Sequence, residues 1–397
     1  MRIYLDNAAT TCIEPVVARV MLPFLEGNYG NPSSVHSFGR ESRAVIEKAR
    51  KQISGLIGAQ PSEIYFTSGG TEADNMAITG TVRACGIRTV ISSPLEHHAV
   101  LHTLENLEKT GEIELRLLEC DQEGKLNFDQ LRQWLDENPH SLVSLMEANN
   151  EIGNLYPVEE LAAEVKDRGG FFHSDTVQTI GKMHHNFSSG NIDFLIASGH
   201  KFHGPKGVGF IAISSRLKIP PFIFGGSQER NMRGGTENLM GIAGMAEALD
   251  ISLKGLQETQ VHMLKLKEIL ISRLKNDIPD VRFNGLSGDT EKSVNNILSV
   301  SLPPSDHSEM LLANLDIRGI AASGGSACTS GSETGSHVLR AMCADMSRPA
   351  VRFSFSKFNT PQEIHRVADE LCSLYPVKAI LHNSSAEENS RQNGILL

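Results

Sequence analysis

Short apolar runs alternate with amphipathic stretches along most of this chain. Six of the runs have the length and composition of buried strands, at residues 64–67, 89–93, 142–146, 171–173, 194–197 and 208–213. Apolar positions at helical spacing predict helices at residues 38–57, 73–85, 97–109 and 157–168. Strands that alternate with helices indicate an α/β fold with a mostly parallel sheet, whose ligand site lies at the carboxyl ends of the strands.

The pattern changes after residue 241. Residues 241–274 have the pattern of one long helix with charged residues on one side, which is long enough to join two domains. The helix predicted at residues 38–57 places Val45, Ala49, Ile53 and Leu56 on one apolar face. The last residues, 383–397, are polar, and we expect them to be disordered.

Composition narrows the class of protein. Of the 397 residues, 40% are hydrophobic and 21% are charged, which is typical of a soluble globular protein. The length predicts two or three domains, or one large domain with a smaller one. The 37 basic and 47 acidic residues give a formal charge of −10, so we expect no nucleic-acid partner. Asp6 and Asn7 argue against an N-terminal signal peptide, and no apolar run has the roughly 18 residues of a membrane span. The six cysteines form no CxxC pair, which favours a reducing, cytoplasmic location.

Lys201 is the most informative residue, because it follows an apolar strand directly in the sequence SGHKFHGPKG at residues 198–207. A buried lysine amine can bond a carbonyl cofactor covalently. Asp175 ends the strand at residues 171–175, where a carboxylate can hold the protonated nitrogen of a pyridine ring. Alone, Lys201 would be a solvated loop lysine and Asp175 a turn residue. Together, on adjacent strand ends, they are the pair that a pyridoxal phosphate enzyme needs.

Such a cofactor also needs a binding loop for its phosphate. Residues 68–72, with the sequence SGGTE, connect a predicted strand to a predicted helix. Glycines let backbone N–H groups approach an anion, and the N-terminus of a helix favours negative charge. Many strand-to-helix turns look similar, so this glycine turn (residues 68–72) is informative only beside Lys201 and Asp175.

Histidines and amides follow two further predicted strands. His97, at the start of a helix, can stack on a pyridine ring and exchange protons with a substrate. His98 and His102 are four residues apart on the same helix, a spacing that also binds zinc, although the sequence indicates no third ligand. At residues 149–151, with the sequence NNE, a side-chain amide can bond a ring hydroxyl or form a local turn.

The C-terminal third contains two more candidates. Cys328 lies among small residues, in SGGSACTSGS at residues 323–332, which suits a mobile nucleophile, whereas a structural cysteine usually has apolar neighbours. Arg352 lies in an apolar strand pattern, VRFS at residues 351–354. A buried guanidinium needs a carboxylate there, either that of an amino-acid substrate or that of an internal ion pair.

These motifs, in this order, resemble those of the NifS/IscS-type cysteine desulfurases, in the class-V branch of the fold-type-I pyridoxal phosphate enzymes. The resemblance runs from about residue 3 to residue 375 and rests on LDNAATT at residues 5–11, GNPSS at 30–34, TSGGTEADN at 67–75, NNEIG at 149–153, SGHKFHGPKG at 198–207 and SACTS at 326–330. It implies an α/β fold with a large domain at residues 15–256, built on a mostly parallel seven-stranded sheet flanked by helices. It also implies a smaller α+β domain, formed by residues 1–14 and 257–382, which carries the cysteine loop at residues 322–335.

The resemblance implies a role for each motif. Lys201 would bond pyridoxal 5′-phosphate, Asp175 would hold its ring nitrogen, and His97 would stack on the ring and take part in catalysis. Its oxygen and phosphate ligands would be Asn150, Gln178, Gly70, Thr71, Ser198, His200 and, across a homodimer interface, Thr236 of the partner subunit. Arg352 and Asn150 would bind the substrate, and Cys328 would accept the sulfur.

The implied activity is the removal of sulfur from L-cysteine, which gives L-alanine and a persulfide on Cys328. The sulfur would pass to an acceptor protein for iron–sulfur cluster assembly or tRNA thiolation, where Cys328 could also ligate a nascent 2Fe–2S cluster. Residue 98 is His where the family frequently has Lys. Three other functions stay open, namely a sister enzyme such as a selenocysteine lyase or class-V aminotransferase, a zinc hydrolase built on His98 and His102, and a cofactor-free sulfur carrier.

Overall fold

The computed structural model describes residues 2–305, 308–324 and 335–375. Its strands are β1 (Ile3–Tyr4), β2 (Ile64–Thr67), β3 (Thr89–Ser92), β4 (Glu114–Leu117), β5 (Leu142–Ser144), β6 (Phe171–Ser174), β7 (Phe194–Ser198), β8 (Gly209–Ile213), β9 (Arg282–Phe283), β10 (Ile297–Ser301), β11 (Ile320–Ala321) and β12 (Ala350–Ser354). Its helices are α1 (Pro15–Met21), α2 (Pro23–Glu26), α3 (Ser37–Leu56), α4 (Gly70–Cys85), α5 (His98–Lys109), α6 (Phe128–Glu137), α7 (Val158–Asp167), α8 (Leu239–Lys254), α9 (Leu256–Asp277), α10 (Leu311–Ile317), α11 (His337–Ala341) and α12 (Pro361–Leu374).

Seven strands form the large sheet, in the order β2-β8-β7-β6-β5-β3-β4. The strands from β3 to β7 pair in parallel, whereas β8 runs antiparallel to both β2 and β7. The predicted mostly parallel, seven-stranded sheet is therefore confirmed. The sequence pattern missed β4, because this edge strand buries none of its side chains fully and so carries no apolar run.

Helices cover both faces of the large sheet, which explains why every residue of β3, β5, β7 and β8 is buried. One apolar cluster joins Val90 of β3 to Leu104 of α5. Another joins Leu195 of β7 to Ile53 of α3. The loops that follow the parallel strands therefore meet at one edge of a rigid, fully packed layer.

A second, three-stranded antiparallel sheet has the order β12-β10-β9. Its apolar cluster contains Leu270 of α9, Val300 of β10 and Phe353 of β12. Ile3 and Leu5 from the N-terminal segment belong to the same cluster, and β1 pairs with β11. The predicted domain boundaries stay a prediction, and the predicted tail at residues 383–397 lies outside the described residues.

The single long helix predicted for residues 241–274 is two helices in the structure. α8 and α9 meet at Gly255, whose backbone (φ −95°, ψ 13°) leaves the helical region. α8 packs on α1 and α3, whereas α9 packs on α12. The break therefore lets one apolar stretch of sequence pack against two different layers, which hydrophobic periodicity alone does not reveal.

The buried face of α3 also differs from the predicted one. It contains Ile46, Ala49, Arg50 and Ile53, whereas the predicted Val45 lies at its margin. The face is centred on Arg50 because this side chain has a buried partner, which a search for apolar positions does not find.

The partner of Arg50 is Glu229, in the segment before α8. The two guanidinium nitrogens Nη1 and Nη2 donate to the carboxylate oxygens at 2.9 Å each. Arg50 also donates to the Ile64 carbonyl at 2.7 Å, and the Phe66 N–H donates to Glu229 at 2.8 Å. This buried ion pair therefore ties α3 and β2 to the segment before α8.

Across the described ranges, no helix is both long and apolar enough to cross a membrane. Free thiols are carried by Cys12, Cys85, Cys120, Cys343 and Cys372. The sixth cysteine, Cys328, and most of the predicted loop at residues 322–335 lie outside the described residues.

We predict that Arg50→Met lowers the free energy of unfolding by about 3–5 kcal/mol, because it leaves the Glu229 carboxylate buried and unpaired. Denaturant unfolding of the purified variant measures this change. The matched control is Arg83→Met, which breaks the exposed ion pair with Glu112 and should change stability little. Equal stability of the two variants would contradict the structural role of Arg50.

Candidate active site

A cavity of about 540 Å³ lies at the carboxyl ends of the parallel strands. Most of the predicted site residues line it, namely Gly70, Thr71, His97, Asn150, Asp175, Gln178, Ser198, His200, Lys201 and Arg352. They come from the ends of five strands of the large sheet or the segments that follow them, and from β12, so the fold brings together residues that are far apart in the sequence. The cavity is large enough for a cofactor and a small substrate.

Lys201 enters the cavity from a short turn of 3₁₀ helix, Gly199–Lys201, that follows β7. Its Nζ donates to the carbonyl oxygens of Ala8 at 2.7 Å and Ala9 at 3.0 Å. These carbonyls belong to the segment between β1 and α1, which crosses the edge of the large sheet. The amine is thus oriented from two sides, by the end of β7 and by the N-terminal segment.

Asp175 lies at the end of β6, next to β7 in the sheet. Its Oδ1 accepts the Val177 N–H at 2.9 Å. Burial raises the pKa of Asp175, while the Val177 N–H and the charge of Lys201 act in the opposite direction. A protonated ring nitrogen beside this carboxyl would further offset the cost of burying its charge, so the residue fits a pyridine cofactor.

The glycine turn joins β2 to α4, and all of its residues line the cavity. A Cβ on Gly70 would lie 2.7 Å from Cγ2 of Val177, so a side chain there would require Val177 to shift. On the other side, a Cβ on Gly209 would lie 2.8 Å from the Cα of Gly69. α4 is 16 residues long and has its N-terminus here, so the turn fits a phosphate group.

His97 caps the N-terminus of α5. The helix therefore begins at His98, one residue later than the pattern predicts. Its Nδ1 accepts the Ala99 N–H at 3.1 Å, which leaves the proton on Nε2. Burial, reinforced by the charge of Lys201, lowers the pKa of His97 to about 4. The imidazole is therefore neutral at physiological pH, as suits a ring that stacks on an aromatic cofactor.

The sequence left open whether a side-chain amide at residues 149–151 faces a ligand or forms a local turn, and in the structure the two asparagines differ in this respect. Asn149 forms the local turn, because its Oδ1 accepts the N–H groups of Glu151 and Ile152 at 2.8 and 3.0 Å. Asn150 lines the cavity instead. On the opposite wall, Gln178 is buried and its Nε2 donates to the Ala8 carbonyl at 3.0 Å.

Arg352, on β12, forms the internal ion pair that was one of its two predicted alternatives, and its role in binding a substrate carboxylate stays a prediction. Its Nη2 donates to Asp6 at 2.8 Å, and its Nη1 donates to the Asn150 carbonyl at 2.8 Å. The side chain is 2% exposed, and its buried Nε has no hydrogen-bond partner. A buried guanidinium with an unsatisfied N–H is well suited to bind the carboxylate of a small substrate.

Comparison with known proteins agrees with this geometry. The model of the family described as Aminotransferase class-V matches residues 3–367. The chain is 42% identical to "Putative cysteine desulfurase IscS 1" of Bacillus subtilis over 94% of this chain and 98% of the relative. It is 40% identical to "Cysteine desulfurase IscS" of Dictyoglomus turgidum over 95% of this chain and 97% of the relative.

The chain belongs to the class-V aminotransferases, among their cysteine desulfurases. Solved structures support the fold-type-I assignment. A "NIFS-LIKE PROTEIN" superimposes with a TM-score of 0.86 at 37% identity, covering 94% of this chain and 99% of that one. The apo structure of a cysteine desulfurase from Thermococcus onnurineus gives a TM-score of 0.84 at 25% identity, with 94% of each chain covered.

Of the residues that the desulfurase resemblance implicates, Thr236 lies apart from the cavity. Thr236 is exposed and does not line it, in line with a contact that would need a second subunit. Cys328 lies outside the described residues. The roles of both residues stay predictions.

Sequence reasoning assigned no role to three further cavity residues of this class-V enzyme, Asp74, Glu151 and His337. Asp74 lies within the TSGGTEADN motif, so its position was visible although its role was not. Its Oδ1 is 3.3 Å from Nε2 of His173, and burial together with the charge of Asp175 raises its pKa well above the usual range. His337 gave no local signal, because its Nε2 bonds the Glu96 carbonyl across 241 residues of sequence.

The histidines considered as a zinc pair belong to a column of rings. His98 lies between His102 and His337, with ring centroids 4.6 and 4.3 Å away. Burial and the neighbouring imidazoles lower the pKa of His98. Within the described part of the chain, no group of three or more His, Cys, Asp or Glu side chains could hold a metal ion. A zinc hydrolase therefore gains no support from this cluster.

We predict that His97 in cofactor-free protein takes up a proton only near pH 4, well below its ordinary pKa of 6.5. The unfolded chain binds this proton first, so His97 makes the free energy of unfolding fall as the pH drops from 6.5 to about 4. Ring-nitrogen NMR shifts measure the titration, and loss of the signal in His97→Gln assigns it. A midpoint near 6.5 would contradict the buried, neutral imidazole.

Proposed function

We propose that this enzyme is a pyridoxal phosphate-dependent cysteine desulfurase that converts L-cysteine to L-alanine and retains the sulfur on Cys328. The observation that carries the proposal is the composition of one cavity. Its lining carries an amine (Lys201), a buried carboxyl (Asp175), an anion-binding glycine turn and the guanidinium of Arg352, whose Nε has no hydrogen-bond partner. This set fits a phosphate-bearing pyridine cofactor together with an amino-acid substrate.

In this proposal, pyridoxal phosphate supplies an electron sink for negative charge at the substrate Cα. Lys201 would hold it covalently, Asp175 would pair with its ring nitrogen, and His97 would cover one ring face. The remaining contacts come from Asn150 and Gln178 to the ring oxygen and from Gly70, Thr71, Ser198, His200 and Thr236 of the partner subunit to the phosphate.

The chain's own residues account for binding and proton transfer. Arg352, with Asn150 beside it, binds the carboxylate of L-cysteine and so fixes the direction of the Cα–H bond. With the cofactor bound, the amine of Lys201 would be the general base that takes the Cα proton. Neutral His97 can accept the proton of the substrate thiol or return it.

Cys328 is the nucleophile in the proposed sulfur transfer. Its thiolate attacks the sulfur of L-cysteine, so an S–S bond forms while the Cβ–S bond breaks. The electron pair of the broken bond stays on the organic fragment, which takes up protons and leaves as L-alanine. The persulfide on Cys328 then passes its outer sulfur to an acceptor protein, an iron–sulfur scaffold or a tRNA-thiolation protein, where Cys328 can also ligate a nascent 2Fe–2S cluster. A reducing cytoplasm suits this chemistry.

We also propose a homodimer. Several large apolar side chains are exposed in or close to residues 222–236, the stretch of chain that ends in Thr236. Tyr29 is 79% exposed and stacks on Phe38, and Phe224 is 84% exposed. Gln228 donates to Ser33 at 3.4 Å and so links these two regions into one surface. A second copy of this chain would cover this surface and bring Thr236 to the other cavity.

Incubation with L-cysteine, pyridoxal phosphate and a thiol reductant should release L-alanine and sulfide in equal amounts. Lys201→Ala should lower the rate at least about 1000-fold, because it removes the base and the covalent link. Cys328→Ala should abolish persulfide formation, whereas Cys343→Ala, which alters an exposed free thiol, should not.

Other products would contradict the proposal. Pyruvate with sulfide would indicate a β-eliminating lyase. No product from protein that holds the cofactor would favour a selenocysteine lyase or an aminotransferase.

We predict that Arg352→Gln lowers kcat/KM for L-cysteine about 100-fold, because it removes a charged hydrogen bond to the substrate carboxylate. Steady-state kinetics measure the effect. Asp6→Asn is the control, since it breaks the internal ion pair of Arg352 and leaves the guanidinium in place. An equal loss in both variants would show that Arg352 acts only through Asp6.

A further inference from the structure

Residues 222–236, between β8 and α8, form a surface loop that we call the 222–236 segment. A β-bridge between Ile223 and Arg233 holds its two limbs together. Phe224 lies exposed in one limb, and the segment ends at the exposed Thr236. The segment therefore presents Thr236 to whatever covers this surface, and its attachments decide how firmly Thr236 is placed.

The first attachment is the buried ion pair between Glu229 and Arg50. The backbone around it is strained, because Glu229, Arg230 and Asn231 have φ values of 43°, 55° and 66°. Non-glycine residues keep such angles only where their surroundings fix them. Here Arg50 and the Phe66 N–H of β2 fix the Glu229 carboxylate. The base of the 222–236 segment is thus bound to the strand that leads into the glycine turn.

The second attachment reaches the glycine turn itself. Arg233 donates from Nε to Oε1 of Glu72 at 2.9 Å and from Nη2 to Oε2 at 3.3 Å. The same Oε2 of Glu72 accepts the Ser68 N–H at 2.9 Å. The Glu72 carboxylate therefore bonds the glycine turn through Ser68 and the 222–236 segment through Arg233.

The charge of Glu72 links this contact to the binding of a phosphate group. Glu72 lines the cavity, in the first turn of α4. Burial alone would raise the pKa of Glu72, but hydrogen bonds from Arg233 and Ser68 hold it below the usual range, so the carboxylate is ionised. A phosphate at the same helix N-terminus adds like charge, which repels Glu72 unless a cation compensates it. Arg233 provides this cation, three residues before Thr236.

We propose that the Glu72–Arg233 ion pair couples the two cofactor sites of the homodimer. The proposal rests on the proposed function, because it requires pyridoxal phosphate and a contact from Thr236 of the partner subunit. A phosphate bound in one subunit favours the arrangement in which Arg233 stays on Glu72. That arrangement fixes Thr236 for the second site. Occupation of one site therefore raises the affinity of the other site for pyridoxal phosphate. The effect is reciprocal.

Homodimers test the effect of the pair on cofactor affinity. Arg233→Gln leaves the Glu72 carboxylate without its cation, so the Kd for pyridoxal phosphate should rise about tenfold in cofactor-stripped protein. Adding Glu72→Gln removes the uncompensated charge and should recover part of the affinity. Arg83→Gln, on the exposed pair with Glu112, is the matched control and should leave Kd unchanged. The readout is the visible absorbance of cofactor bound to Lys201.

Mixed dimers separate effects within one subunit from effects between subunits. One subunit carries Lys201→Ala and gives no visible absorbance, so the signal reports only the other, unmodified subunit. Adding Arg233→Gln to the Lys201→Ala subunit should raise the Kd of the unmodified subunit about fivefold. Thr236→Ala in the same subunit should have a similar effect, and Arg83→Gln should have none. Thermal unfolding checks that each dimer is folded.

The outcomes distinguish the coupling from the function on which it rests. A raised Kd with Thr236→Ala but an unchanged Kd with Arg233→Gln would overturn the coupling and leave the proposed function intact. If Thr236→Ala also has no effect, the contact across the dimer does not exist. If the wild-type protein gives no visible absorbance with pyridoxal phosphate, the proposed cofactor is wrong. In both of these cases the coupling is wrong as well.

Discussion

Parallel pairing of β5, β6 and β7 is the constraint on which the candidate site depends. Ser144 pairs with His173, and Ser174 pairs with Leu195, so β5 and β6 end close together, and β7 continues three residues further, to Ser198. Asn150, Asp175 and Lys201 follow these ends and meet in one cavity although they are far apart in the sequence. The sheet is buried on both faces, so these positions are fixed by packing before any ligand binds.

The cavity has opposite electrostatic requirements at its two ends. Burial raises the pKa of Asp74 and Asp175, which both line the cavity where a ring nitrogen would bind. A cation there relieves the cost of a buried carboxylate. At the other end, the N-terminus of α4 and the glycine turn favour an anion. A pyridine ring with a phosphate group satisfies both ends at once, which a cofactor-free sulfur carrier would not require.

The sequence predicted the parts of this enzyme that have local signals. Buried strands such as β2 and β7 carry apolar runs, and the glycine turn and Lys201 lie in short motifs. It did not reveal β4, which is half-exposed at a sheet edge, or the break at Gly255. The sequence also did not reveal contacts between residues that are far apart in the chain. Arg50 and Glu229 are 179 residues apart and each looks like a surface charge, yet together they form a buried ion pair.

The central claim is that Cys328 receives the sulfur of L-cysteine within a cavity built around Lys201. Mass spectrometry of the peptide containing Cys328, after a single turnover without reductant, tests it most directly. The account predicts that Cys328 gains one sulfur atom for each L-alanine formed and that the Lys201→Ala variant shows neither product. Formation of L-alanine with Cys328 unmodified, or with the sulfur on another cysteine, would contradict the account.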